Sequence, residues 1–454
     1  MMRKANALFA VTLAFAAGAT LTACGGKESP APGAAAGGKS DSSCAAYTQY
    51  GDLKGEKISI YTAQGTPADT PYIESYKTFE RCTGATIEYS GDSSFETEIL
   101  VRTKAGNPPD LAQISQPGLI RQLVETGKVK PAPAEVAANV DKFWSKDWKA
   151  YGTVDGTFYA APSDAAVKSL VWYSPKMFEE NGWKVPTTLD ELTALTTQIA
   201  GAGIGPWCVG ANSGQATGWP LSDWMEEYML RLSGPETYDK WVNHQIPFNG
   251  PEAMAALEGA GAILKNPKFV NGGLGDVKSI ANTAFADAGL PILDGTCALH
   301  RQANFYATVW PKGTKVAPDG DVFAFYLPGK DASSKPVLGA GNFNVAFSDR
   351  PAVKAFQAYL ASDTWANERI GTTGTEGGWI SANKGADPTK LKTPIDKLTV
   401  ELLQDPKTQF RFDGSDQMPG AIGSNVLWKE MTDWITGQGT KATLDKIEAA
   451  WPKP

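Results

Sequence analysis

Covalent chemistry has little to work with in this chain of 454 residues. A serine or cysteine nucleophile needs a base, yet the only histidines are His244 and His300, and no G-x-S-x-G elbow presents a serine. No C-x-x-C occurs, so no metal and no other cofactor is expected. A glycosidase needs only two carboxylates, and 49 Asp and Glu leave that chemistry open. Recognition chemistry is better supplied. The chain has 14 Trp, as many as Tyr, and loops rich in amides, hydroxyls and glycine. Carboxylates, amides and arginine pair with ring hydroxyls, and aromatic plates take the C–H faces of a ring. Eight residues are candidates for such contacts: Gln64, Asp92, Gln116, Trp219, Asp223, Arg301, Asn342 and Trp379.

The elements that must position them read as α/β. Residues 57–61 alternate like a strand, and 62–67 form a turn-rich loop. A helix follows, capped by Asp69 or Thr70 with Pro71 in its first turn. Tyr72, Tyr76, Phe79 and Cys82 share one face of it, and Gly84 ends it. Residues 86–89 begin a second strand. The capping box Ser93-Ser94-Phe95-Glu96 opens a helix to about Lys104, and 110–114 is a third strand. This alternation with short loops means a parallel sheet. Further strands are expected at 170–173, 207–209, 297–300, 322–326 and 343–347. A second capping box, Thr188-Leu189-Asp190-Glu191, starts another helix, and Trp224, Tyr228 and Leu232 share a helical face. The last third is mainly helical, at 352–360, 425–436 and 444–451. There is no internal repeat.

Ligands of open parallel sheets sit at the carboxyl ends of the strands. That places Gln64, Asp92 and Gln116 on the loops 61–66, 90–95 and 115–118, where Asp92 could equally cap a helix. Trp219 lies just before a helix on a glycine-bounded loop, with Asp223 in the helix's first turn. Arg301 closes a strand, where a structural ion pair competes with ligand contact. Asn342 follows Gly339-Ala340-Gly341, where missing side chains admit close approach, and Trp379 follows Gly377-Gly378. Trp428 shares a helix face with Val426, Met431 and Ile435 and reads as core.

The N-terminus sets the compartment. Arg3 and Lys4 precede an apolar run over 7–20, too short to span a bilayer comfortably, then Leu21-Thr22-Ala23-Cys24-Gly25. Residues 1–23 read as a signal peptide, and Cys24 as a lipobox cysteine that takes the acyl chains anchoring the protein to the extracytoplasmic face of the membrane. Small and polar residues after it form a flexible tether, placed at 24–50 with the lipidated cysteine. Cys44, Cys82, Cys208 and Cys297 are an even set in an oxidising compartment, and three pairings are possible. Cys44–Cys82 with Cys208–Cys297 is favoured because each bridge then stays within one lobe. A formal charge of −7 with scattered signs argues against nucleic acid.

From about Lys57 onward the sequence resembles the family 1 extracellular solute-binding proteins of ABC importers, within them the alpha-glucoside-type receptors. The resemblance is carried by Phe79-Glu80-Arg81-Cys82-Thr83-Gly84, Pro109-Asp110-Leu111, Gly156-Thr157-Phe158-Tyr159-Ala160-Ala161-Pro162 and Leu170-Val171-Trp172-Tyr173-Ser174. Trp219-Pro220-Leu221, Gly295-Thr296-Cys297-Ala298-Leu299 and Met418-Pro419 nine residues before Trp428 continue it. It implies a periplasmic-binding-protein-like, type II α/β fold: two lobes with parallel-rich sheets, crossed three times at the hinge. Residues 51–163 and 309–375 would form the N-terminal lobe, 164–308 and 376–454 the C-terminal lobe, with hinge segments at 164–168, 304–309 and 374–377. The implied function is binding of a small oligosaccharide by hinge closure, without catalysis, by a monomer that hands it to the permease subunits. An exported glycoside hydrolase or a non-transport polysaccharide-binding lipoprotein are the alternatives.

Overall fold

The protein is described by a computed structural model over residues 42–452, apart from 67, 273, 334, 375 and 376. The expected signal peptide over 1–23 and the expected lipidation site at Cys24 lie outside the described residues. Part of the segment expected as tether over 24–50 is helical. Ser42–Tyr50 is a 3-10 helix, because Tyr47 and Tyr50 find an aromatic shelf. Their rings lie 5.7 Å from that of Tyr359, and Tyr50 lies 5.5 Å from Phe79. The Cys44–Cys82 disulfide ties this segment to the first helix, and Cys208–Cys297 is the second bridge.

The first lobe is built on β1 (Lys57–Thr62), β2 (Thr86–Gly91) and β3 (Leu111–Ile114). β1 pairs in parallel with both β2 and β3, as the strand–helix alternation requires. Phe343–Ala346 and Ala160–Pro162 extend the sheet antiparallel beyond β3. Helix α1 (Thr70–Thr83) has Pro71 in its first turn and ends at Gly84, whose φ of 81° a side chain would strain. It buries Tyr72, Tyr76 and Phe79 against the sheet. Helices α2 (Phe95–Lys104) and α3 (Pro117–Glu125) follow β2 and β3, so their first turns stand at the carboxyl edge of the sheet.

The second lobe has a sheet ordered Phe323–Tyr326, Leu170–Tyr173, Cys297–Arg301, Gly205–Trp207. Its core includes Trp207, Met225, Trp241, Met431 and Trp434. A short third sheet joins the lobes: Lys335–Ala340 pairs in parallel with Thr408–Phe412 and antiparallel with Ala166–Val167.

Three passes link the lobes, and two run elsewhere than expected. The first follows Asp164, as read from the sequence. Residues 309–340 do not return to the first lobe at 304–309, because Phe323–Tyr326 pairs with Leu170–Tyr173 and Trp310 packs on Trp172 with rings 5.8 Å apart. The second pass is at Gly341, where a side chain would stand 2.5 Å from the Asp164 carbonyl oxygen and 2.6 Å from the Trp148 ring. The third comes after 377, since Trp379 and Ile380 are still in the first core, with Leu391 packed against it. Ile395 and Leu402 then belong to the core around Trp172 and Trp310. Among the described residues no helix is long and apolar enough to cross a membrane.

Candidate functional site between the lobes

The carboxyl edge of the first-lobe sheet carries three of the residues singled out in the sequence. Gln64, part-buried after β1, accepts a hydrogen bond from the Thr62 hydroxyl through Oε1 and one from the Tyr89 hydroxyl through its carbonyl, the latter at 2.7 Å. Asp92 is exposed after β2, and its Oδ1 accepts the Ser94 amide at 2.7 Å. The box expected to start at Ser93 is not seen: Ser94 stands at the N-cap without a side-chain cap bond, and Asp92 holds its amide. Gln116 follows β3 and directly precedes α3. It is buried, its Nε2 stands 3.5 Å from Glu96 Oε1, and its Oε1 has no partner. Burial raises the Glu96 carboxyl above the usual carboxylate range.

Facing this edge, the second lobe supplies a plate and a charge cluster. Trp219 opens the Trp219–Ser233 helix with its ring part-exposed, 5.4 Å from Phe285 and 5.1 Å from Lys168 Nζ. Lys168 Nζ donates to Asp223 Oδ1 at 2.9 Å and to an Asp413 carboxylate oxygen. Arg301 donates to the other oxygen of Asp223 at 2.8 Å and to Glu227 at 3.3 Å. Neither Asp223 nor Arg301 has any side-chain exposure. The ligand contacts assigned to these two are therefore corrected: they hold each other and orient Lys168. Burial and the neighbouring Asp413 lift Asp223 to about 6, even against the two cations. Burial alone would lower Lys168, and Asp223 with Asp413 more than offsets it, so the ammonium stays charged. Asp416, in the one-turn helix Gly414–Gln417, is raised well above the carboxylate range by burial and then by Asp413.

Two other expectations meet a different reality. Asn342 is taken up at the hinge: its amide and Nδ2 donate to Asp164 at 2.8–3.0 Å, and its Oδ1 accepts the Ser115 hydroxyl at 2.7 Å. Tyr72 donates to the same Asp164 at 3.0 Å. Trp379 is no plate for a ligand but part of the first core, with Trp365 at 5.9 Å and the Arg369 guanidinium 4.8 Å over its ring. Trp428 is buried as read, its Nε1 donating to Ser415 at 3.3 Å.

The lobes touch beside these groups. Gly118 of α3 lies so close to the 414–418 segment that a methyl carbon there would overlap the Met418 carbonyl oxygen. On the other flank, a side-chain carbon added at Gly214 would lie 3.7 Å from the Ser93 hydroxyl. Sequence reading offered Glu96 as an acceptor beside Asp92 but did not select Lys168, Asp413 or Asp416 as site residues. Asp413-Gly414-Ser415-Asp416, a turn signal between a strand and the Met418-Pro419 marker, was the available hint. The joint face thus offers acceptors from Gln64, Gln116, Glu96 and Asp416, one ammonium, and one indole.

The sequence pattern of the family described as bacterial extracellular solute-binding protein matches residues 62–367. The chain is 37% identical over 421 residues to the alpha-glucosides-binding periplasmic protein AglE of Rhizobium meliloti, covering 88% of each. It is 35% identical over 419 residues to the osmoprotective compounds-binding protein GgtB of Synechocystis, covering 90% of this chain and 96% of that one. Among solved structures, the bacterial solute receptor AcbH superposes with a TM-score of 0.72 at 15% identity, over 87% of this chain and 98% of that one. Two lobes on a three-pass hinge, a polar face between them and this likeness along most of the chain agree: the protein belongs to the bacterial extracellular solute-binding protein family.

Proposed function

We propose that this protein is the substrate-binding component of an ABC carbohydrate importer, closing its lobes on a small oligosaccharide of the alpha-glucoside type. The face between the lobes carries the reading: the unpartnered Oε1 of Gln116, the Lys168 ammonium and the part-exposed Trp219 ring. Sugar hydroxyls donate to the first, accept from the second, and the ring's C–H face lies on the third. The relationship to a binding protein for alpha-glucosides supports the ligand class. The acyl chains on Cys24 hold the receptor at the outer face of the cell membrane as a monomer, and the closed form is what the permease subunits take up. Ligand contacts from both lobes favour that form; shifting the ratio of open to closed from 99:1 to 1:99 takes about 5.5 kcal/mol of differential binding.

No chemistry on the ligand is part of this reading. The test is thermal-shift and calorimetric titration with maltose, trehalose, sucrose, raffinose, longer glucans and monosaccharides, alongside a reducing-end assay. The expected result is saturable binding of an alpha-glucoside with compaction in small-angle scattering and no new reducing ends. Turnover of a glycoside, or no compaction at saturation, overturns it.

A further inference from the structure

The three passes between the lobes leave the first lobe through one buried set of contacts. At the first pass, Asp164 Oδ1 accepts the Asn342 amide at 2.8 Å, and its Oδ2 accepts Asn342 Nδ2 at 2.9 Å and the Tyr72 hydroxyl at 3.0 Å. Asn342 closes the second pass, and its carbonyl oxygen takes the Ser163 amide at 2.8 Å. On the approach to the third pass, the Ile380 carbonyl oxygen accepts the Ala165 amide at 3.1 Å. Gly378, two residues before, already bonds the second lobe. Its carbonyl oxygen accepts Asn304 Nδ2 at 3.0 Å, and its amide donates to Asp396 at 2.7 Å. Trp379 stands between these two contacts.

Arg369 joins the segments. Its guanidinium carbon lies 4.4 Å from the centre of the Tyr72 ring and 4.8 Å from that of Trp379. Attraction of a cation to a ring face is strongest where water is excluded, and Arg369, Tyr72 and Asp164 are only 4–5% exposed. Nη1 donates to the Thr373 hydroxyl at 3.2 Å, Nε has no partner, and among the described residues Arg369 enters no ion pair. A buried arginine without a carboxylate is a costly way to fill an apolar core. The link it makes runs Trp379–Arg369–Tyr72–Asp164–Asn342, through all three crossings. The same chain reaches the binding face: Asn342 Oδ1 accepts the Ser115 hydroxyl at 2.7 Å, next to Gln116 with its unpartnered Oε1.

We propose that Tyr72, Asp164 and Arg369 are positioning residues of the binding site, a collar that makes the three crossings turn as one joint. The lobes touch beside the site, at Gly118 and the 414–418 segment, so a hinge with more freedom can only open from there. The collar keeps the range of angles narrow, and less ordering entropy then remains to be lost when a ligand closes the lobes. This inference rests on reading the gap as a saccharide site. Its first measurement uses no ligand, so the two readings fail separately.

Tyr72→Phe removes one hydroxyl and keeps the ring, whereas Arg369→Met removes the cation and keeps an unbranched chain. Small-angle scattering of the full chain without ligand should give both variants a larger radius of gyration than wild type. With saturating amounts of the saccharide that wild type binds best, the radii should converge. Calorimetry should show affinity lower by roughly two- to thirty-fold, the span for residues that act on a site without touching its ligand. Gly152→Ala, a strain inside the first lobe, is the comparison that loses melting temperature and keeps radius and affinity. A Tyr72→Phe chain with wild-type radius and affinity, whatever its melting temperature, overturns the collar. Should Arg369→Met fail to fold, Tyr72→Phe decides alone. A wild type that binds no saccharide overturns the proposed function, and the ligand-free radii then decide the collar.

Discussion

Gly118→Ala is the smallest wedge that can be driven between the two lobes. The added carbon would overlap the Met418 carbonyl oxygen and stand 2.9 Å from its carbon and 3.3 Å from the Asp416 oxygen. These are backbone atoms, so no rotamer change clears them. To regain ordinary contact, α3 and the 414–418 segment must part by on the order of an ångström. Overpacking of this kind costs about 1–3 kcal/mol. If the strain falls on the form in which the lobes touch, each 1.4 kcal/mol weakens ligand by about tenfold, so a loss of roughly five- to 150-fold is expected. Calorimetry with the saccharide that binds wild type best reads the affinity, and scattering reads the compaction. Gly152→Ala is the control: its methyl would overlap the Ala160 carbonyl oxygen inside the first lobe, lowering the melting temperature while leaving the affinity of the folded protein alone. A Gly118→Ala protein that binds with wild-type affinity would refute the claim that contact between α3 and the 414–418 segment belongs to the bound form.

Three further outcomes follow from the charges and rings. Lys168→Met leaves Asp223 and Asp413 facing each other without their ammonium, and urea unfolding should show a loss of about 3–5 kcal/mol, part of it recovered by adding Asp413→Asn. His300 Nδ1 donates to the Cys208 carbonyl, 2.8 Å away, and its other nitrogen is buried without a partner. Burial depresses its imidazole to about 4 from an ordinary 6.5. The unfolded chain therefore binds more protons in that window, and stability, intact above pH 6.5, should fall by about 3 kcal/mol as pH drops toward 4. His300→Gln should flatten that slope in acid melting curves. Trp219→Ala should weaken saccharide binding with little change in melting temperature, whereas Trp428→Ala should cost stability by about 3–5 kcal/mol, with intrinsic fluorescence and calorimetry separating the two.

Much of the scaffold was legible because its signals are local. The alternation over 57–61 and the 3–4-residue spacing of Tyr72, Tyr76 and Phe79 each announce one buried face, and β1 and α1 form there. The Thr188 box forms with a shift of one residue: Thr188 Oγ1 accepts the Glu191 amide at 3.2 Å, and Glu191 reaches back to the Thr187 amide, just before the cap, at 2.7 Å. Lys335–Ala340 was not legible. It contains Pro336 and Gly339, which argue against a strand, yet it lies between two partners where Gly339 admits the Phe410 ring and the Ala166 carbonyl.

The sequence by itself determined the class of fold and the places where loops leave the carboxyl ends of strands, since periodicity, caps and turn residues act over a few neighbours; the family came from the resemblance of its motifs. It named Gln116 and Trp219 on that ground. Only the tertiary structure decided what each charge and ring is for. Lys168 and Asp413 are 245 residues apart in sequence and Arg301 and Asp223 are 78 apart, so nothing local marks them as partners. Trp219 and Trp379 follow similar glycine-bearing loops, but one ring stays part-exposed beside Lys168 and the other is sealed against Arg369 and Trp365. A side chain's exposure is a property of everything packed around it, and that is assembled from segments the chain brings together only on folding.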